Sequence, residues 1–234
     1  MPAAQSGYIQ SVNNDALLSL ASDRRTIVRM EHGIGAFVVQ NTALISIALT
    51  YPPDQKTINA LNGAYSIGRH RTVEQDPAFG IRQIVDMGIK ALSPGVNDTS
   101  TAVMCVDYLT SILARLVGRQ FPPVYRYEGE TLRVIAIVPS FEGLLAEAYD
   151  QIRGSAELNV AILVRMLGAL DTLGSLTIKP SHLRALDEQL QWIDELANRT
   201  IETTHDRARI ERRVSEVRET LQAQSALCAG EDKA

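Results

Sequence analysis

The chain has 234 residues, 45% of them hydrophobic and 21% charged, with a formal net charge of −4. That length holds one large or two small domains, with ample apolar material for a core. The composition excludes a disordered chain, a collagen and a disulfide scaffold, and the negative balance argues against a dedicated nucleic-acid binder.

The first segment reads as a β-rich module with one helix. Tyr8 to Val12 alternates like a strand, and Asn13, Asn14 or Asp15 caps a helix running to Arg25. Thr26 to Glu31 alternates again, Gly33-Ile34-Gly35 is a turn, and Ala36–Val39 and Ala43–Leu49 are further strand-like runs. Tyr51-Pro52-Pro53 marks a boundary, because consecutive prolines extend neither strand nor helix.

Beyond it the pattern turns helical. A short helix is expected over 56–68. Asp76-Pro77 starts the next, with Asp as cap and Pro at the first helical position, and Pro94-Gly95 ends it. Asn97, Asp98 or Thr99 caps a helix with the stripe Ala102, Cys105, Val106, Leu109, Leu113 and Leu116. Val124–Tyr127 and Thr131–Val138 flank Glu128-Gly129-Glu130 as a β-hairpin. Ser140 opens another helix, and Leu158 to Leu173 is apolar nearly all round, which places it in a core. Ser181 is expected to cap a helix that pairs with the last one, whose stripe is Ile210, Val214, Val217 and Leu221. That pair reads as a helical hairpin or, alternatively, as a coiled-coil dimer arm. The fold class is therefore α+β. The expected divisions are a β-rich module over 1–51, a helical core with a hairpin over 52–178, a helical hairpin over 179–226 and a disordered tail over 227–234.

No run of about 20 apolar residues is uninterrupted, so the chain as given reads as soluble, and its N-terminus lacks the basic and apolar regions of a signal peptide. Cys105 and Cys228 lie far apart, without a CxxC motif, and the four histidines show no metal-ligand spacing. No metal or cofactor is expected.

The richest polar stretch runs from Gly68 to Thr101. Its candidate ligand-binding residues are Arg71, Gln75, Asp76, Arg82, Asp86, Ser93, Asn97 and Asp98. Arg82 and Asp86 are four apart and share a helix face. The loop Ser93–Asp98 begins a helix, whose free amides suit an anion beside arginines. The bland alternative is that Asp76, Asn97 and Asp98 only cap helices and that Arg82–Asp86 is a surface pair worth roughly 0.3–0.5 kcal/mol. Glu142 and Glu147 read as solvated, and Trp192 as packing within the helical hairpin.

The segments Ser6–Val12, Gly35–Val39, Arg71–Asp86, Ala91–Asp98, Pro139–Glu142 and Asp150–Arg153 together resemble the soluble part of a bacterial family described as predicted membrane proteins of unknown function (domain of unknown function 2254). The resemblance covers roughly residues 6 to 175. It implies a bacterial, membrane-associated protein with this domain on the cytoplasmic side, reaching the membrane through segments absent from this chain. Such a chain is either an excised domain or a stand-alone form. The family pattern often continues Asn-Asp-Pro, where this chain has Asn97-Asp98-Thr99. The resemblance brings no activity or catalytic residue.

The functional expectation is a domain that senses a small anionic ligand or mediates assembly with a second copy of the chain; no nucleic acid is expected as a partner. The alternative is a hydrolase-like enzyme with Asp86 or Asp98 as base and His70 as acid–base partner. A pure oligomerisation domain would instead expose the apolar stripe of the hairpin over 181–221.

Overall fold

The structure is a computed structural model that describes residues 1–48 and 51–231. Leu49, at the end of an expected strand run, and 232–234 of the expected tail lie outside the described residues. The chain divides into two compact units, Met1–Gly80 with Phe121–Pro139, and Ile81–Gln120 with Ser140–Ala234.

The first unit carries two sheets. Strand β1 (Gly7–Val12) is flanked antiparallel by β3 (Phe37–Val38) and β5 (Tyr65–Gly68) in the order β3-β1-β5. The second sheet has the order β4-β2-β7-β6, from β2 (Val28–Met30), β4 (Ile45–Ile47), β6 (Tyr125–Glu128) and β7 (Thr131–Ile135). Helix α1 (Asn14–Asp23) starts where the Asn13 side chain accepts from the Ala16 N–H at 3.0 Å. Its buried Leu17 and Ala21 join Ile9, Val28, Leu44 and Val134 in one core.

Two expectations change here. Residues 65–68 form strand β5 rather than the end of a helix. Asp54 caps α2 (Gln55–Gly63), and Asn62-Gly63 ends it before Tyr65, whose buried ring sits opposite Val12. The β-hairpin β6–β7 does not belong with the helices, because β7 pairs parallel with β2 through Val28↔Val134 and Arg29↔Ile135. The prolines at 52–53 thus fall inside a unit. The N-terminal module extends to Gly80 and reclaims the hairpin from the far side of two helices.

The second unit is helical: α3 (Pro77–Leu92, from Ile81 onward), α4 (Thr99–Val117), α5 (Phe141–Ser155), α6 (Val160–Ser175), α7 (Pro180–Thr200) and α8 (Thr204–Glu231). Helix α6 buries Ile162, Leu163, Met166, Leu167 and Leu170 against α4, α7 and α8, as an all-round apolar helix must. Gly88 lets α3 approach α4 and α5: a Cβ there would stand 3.3 Å from Cys105 Cβ and Ile152 Cδ1. Ser140 caps α5 through the Gly143 N–H at 3.1 Å.

Helices α7 and α8 pair, but they do not form a separate arm. The stripe Ile210, Val214, Val217 and Leu221 is at most 4% exposed, covered within the unit. None of these four residues is left open for another chain. Helix α7 begins at Pro180 with Lys179 in the cap position and no side-chain cap bond, so Ser181 lies inside the helix. Proline's fixed φ suits that first position. Helix α8 runs on to Glu231 through most of the expected tail. Trp192 sits under Arg153 of α5, whose Cζ lies 4.8 Å from the indole centroid.

Among the described residues of this unit, the buried side-chain N and O atoms have hydrogen-bond partners. The Tyr149 hydroxyl lies 2.9 Å from Thr110 Oγ1, and burial pushes its pKa well up. His182 is 4% exposed and stacks on Phe141 at 4.3 Å. Burial lowers its pKa; nearby Lys179 adds to this and Glu142 opposes it. The unfolded chain therefore takes up this proton first. Stability is fully present above the ordinary histidine value of about 6.5 and falls as pH drops below it. Urea denaturation at pH 7.5 and 5.5 is expected to show this loss, and His182→Gln to shrink it. An equal loss in the variant rules this origin out.

Candidate functional site

The candidate residues are divided between the units. Arg71, Gln75 and Asp76 lie in the first, with His70; Arg82, Asp86, Ser93, Asn97 and Asp98 lie in the second.

In the first unit Arg71 and Asp76 meet as a bidentate pair. Nε donates to Oδ2 at 2.9 Å and Nη2 to Oδ1 at 3.0 Å, with Asp76 only 4% exposed. The same Oδ1 accepts the Phe79 N–H at 3.0 Å and so caps α3. The Arg71 guanidinium lies 5.0 Å from the Phe79 ring centroid. One carboxylate thus ends a loop, starts a helix and neutralises a cation. Gly35 completes the arrangement. Its φ is +83°, and a Cβ there would stand 2.4 Å from Asp76 Oδ2 and 2.7 Å from Arg71 Nη2. Gln75 Oε1 accepts the Val12 N–H at 3.2 Å, and the His70 carbonyl accepts from Gln10 at 2.8 Å. The stretch 70–76 is thereby stitched to β1 and to the Gly35 turn. The His70 residue is exposed.

In the second unit Arg82 bridges two helices. Its Nε lies 2.9 Å from Asp86 Oδ1 on α3, and its Nη1 3.4 Å from Glu147 Oε1 on α5. Glu147 is therefore an ion-pair partner rather than a freely solvated side chain. The loop that follows is closed by its own backbone. The Ser93 carbonyl accepts from Val96 and Asn97, the Asp98 N–H reaches back to the Ala91 carbonyl at 2.8 Å, and Asn97 holds a left-handed φ of +46°. Asn is among the few residues that adopt this cheaply. The Ser93 hydroxyl donates to the Lys90 carbonyl at 2.7 Å. Asp98 accepts from both the hydroxyl and the N–H of Thr101, which hold its carboxyl below the usual range.

Thr99 is used as well. Its Oγ1 accepts from Asn159 Nδ2 at 3.0 Å, while Asn159 Oδ1 caps α6 through Ile162. The start of α4 is thus tied to the start of α6. Beside that tie lies an open cleft of about 460 Å³, lined among others by Leu92, Asn97, Ser155, Glu157 and Asn159. Asn97 is the one candidate residue on its wall. Sequence reasoning missed Gly35, Glu147 and Asn159. Only Asn159 carried a local signal, as an Asx residue just ahead of an apolar helix.

Among the described residues no three His, Cys, Asp or Glu side chains gather as a metal site. One helix among them, α4, is long and apolar enough to cross a membrane by length and composition. In the structure, α4 buries Ala102, Val106, Leu109 and Leu113 but leaves Met104 and Tyr108 52% and 67% exposed.

A family model described as "Predicted membrane protein (DUF2254)" matches residues 1–172. The chain belongs to this family. Uncharacterized proteins of Mycobacterium tuberculosis and Mycobacterium bovis are each 30% identical to it over 215 residues, 89% of this chain and 41% of the relative. The chain thus spans about two-fifths of the length of these relatives. No solved structure matches it. The DUF2254 match covers the whole first unit, the Arg82 bridge, the Ser93–Asp98 loop and most of α6. It stops before α7 and α8.

Proposed function

We propose that this chain is an assembly-mediating domain of a membrane-associated protein, and that its charged block holds the domain together rather than performing chemistry. The observation that carries the reading is the contrast between satisfied charges and uncovered apolar surface. Arg71 and Arg82 both already face carboxylates, whereas Met104 and Tyr108, one turn apart on α4, project an apolar stripe with no cover. The unpaired thiols Cys105 and Cys228 suit a reducing compartment, in keeping with a cytoplasmic placement.

The test is light scattering on the purified chain across a range of concentrations. The wild type is expected to gain mass with concentration. Met104→Ser combined with Tyr108→Ser is expected to weaken association about tenfold or more, from the apolar area the two residues cover. A folded double variant that associates like the wild type overturns the role of this stripe.

A second reading, ligand sensing, draws on the cleft beside Asn97. Its lining offers amides, a hydroxyl and the Glu157 carboxylate, which pairs with Arg199 at 3.6 Å. A neutral polar guest suits such a lining best. For Arg82 to take an anion, it must exchange Asp86 and Glu147 for the ligand.

A further inference from the structure

The two outer edges of the four-stranded sheet are treated differently. The edge of β4 is covered by the chain's own N-terminus: the Leu44 N–H donates to the Met1 carbonyl at 2.9 Å, and the Ala3 N–H to the Thr42 carbonyl at 2.8 Å. Strand β6 has no such cover. It pairs with β7 on one side, and among the described residues no other backbone group bonds to Tyr125–Glu128. The Val124 carbonyl accepts from the Ala136 N–H at 2.7 Å. Alternation along an antiparallel ladder then turns the backbone groups of Tyr125 and Tyr127 to the open side. Both residues are more than half exposed, at 55% and 53%.

The side chains of this edge are self-complementary. Arg126 has no ion-pair partner among the described residues, and its Nε is buried without an acceptor. Glu128 gives Oε2 to Arg133 at 3.0 Å and is otherwise half exposed, which leaves Oε1 for a second cation. Opposite charges therefore stand two residues apart on one face of an open strand.

We propose that β6 is the contact by which a second copy of this chain adds to the sheet, antiparallel and with the two Tyr127 residues opposite one another. This register sets Arg126 of each copy against Glu128 of the other, twice by symmetry, and joins the two four-stranded sheets into one. It is an isologous contact of the strand-addition kind, in which main-chain bonds give affinity and side-chain pairs give register. Centring the pair on Arg126 instead would place like charges directly opposite, which destabilises. The inference rests on the assembly reading, to which it adds a partner and a second surface apart from the α4 stripe.

Sedimentation equilibrium on the full chain tests it. Tyr127→Pro removes an N–H that points away from β7, a placement edge strands tolerate. It is expected to weaken dimerisation about tenfold or more, by loss of main-chain bonds. Arg126→Glu and Glu128→Arg are each expected to repel their own copies, and mixing the two variants restores a complete set of opposite charges. The expected result is a wild type that self-associates, weakened single variants and recovery in the mixture. A monomeric wild type, or a mixture that associates no better than its components, overturns the proposal. Should Tyr127→Pro fail to fold, the mixture decides alone. If Met104→Ser with Tyr108→Ser dissolves the assembly while the β6 variants leave it intact, the inference fails and the α4 reading stands.

Discussion

Asp76→Ala is expected to lower the unfolding free energy by about 3–5 kcal/mol, the range for removing one partner of a buried pair. Arg71 would keep its charge with no counterion, its side chain only 26% exposed, and α3 would lose its cap at Phe79. Asp76→Asn can still accept from Phe79 but cannot neutralise Arg71, so it is expected to fall between wild type and Asp76→Ala. Urea denaturation of the three proteins measures this directly. A loss below about 1 kcal/mol in Asp76→Ala, the scale of an exposed pair, would mean that Arg71 and Asp76 are not a structural unit.

The second large effect lies among the helices. Phe141 is fully buried at the first residue of α5, with its ring against His182. Phe141→Ala is expected to cost about 3–5 kcal/mol, and Phe141→Leu considerably less, because an emptied core site relaxes only in part. The alanine variant carries a further signature. Opening the site to water removes the burial that lowers the His182 pKa, so the acid sensitivity described above should weaken along with stability. Denaturation at two pH values measures both. A Phe141→Ala variant as stable as the wild type would place the ring outside the core.

These effects show which parts of the fold the sequence made legible. Helix starts were readable because capping is local. Asn13, Asp98 and Ser140 each bond the N–H three residues on. Core stripes were readable because period and burial go together, as along Ala102–Leu113 and Ile210–Leu221. What failed was pairing at a distance. Nothing near Val134 announces that β7 will lie parallel to Val28, and nothing near Tyr65 announces a strand until Val12 stands opposite. The end of α8 was hidden for a different reason: residues 222–228 are mostly exposed, so no buried stripe marks the helix there.

The charged block was legible as a cluster but not as a set of assignments. The Arg82–Asp86 spacing foretold one ion pair, yet Glu147, 65 residues away, is visible only once α3 and α5 pack. The Arg71–Asp76 pair depends on a turn at Gly35 that brings backbone against the carboxylate, and a residue without a side chain advertises nothing of that contact in the sequence. Asp98 does cap a helix and Asn97 does close a loop, while Thr99 accepts a bond from Asn159, 60 residues away.

The claim on which the account turns is that the charges stabilise the domain while its uncovered surface associates. The most direct measurement is the melting temperature of the wild-type chain as a function of its own concentration, with and without inorganic phosphate at matched ionic strength. Association makes the midpoint concentration-dependent, and a bound ligand raises it. The account predicts a midpoint that climbs with chain concentration and ignores phosphate. A midpoint indifferent to chain concentration but raised by phosphate, with the rise lost in Arg82→Ala, would contradict it and make the arginines a binding site.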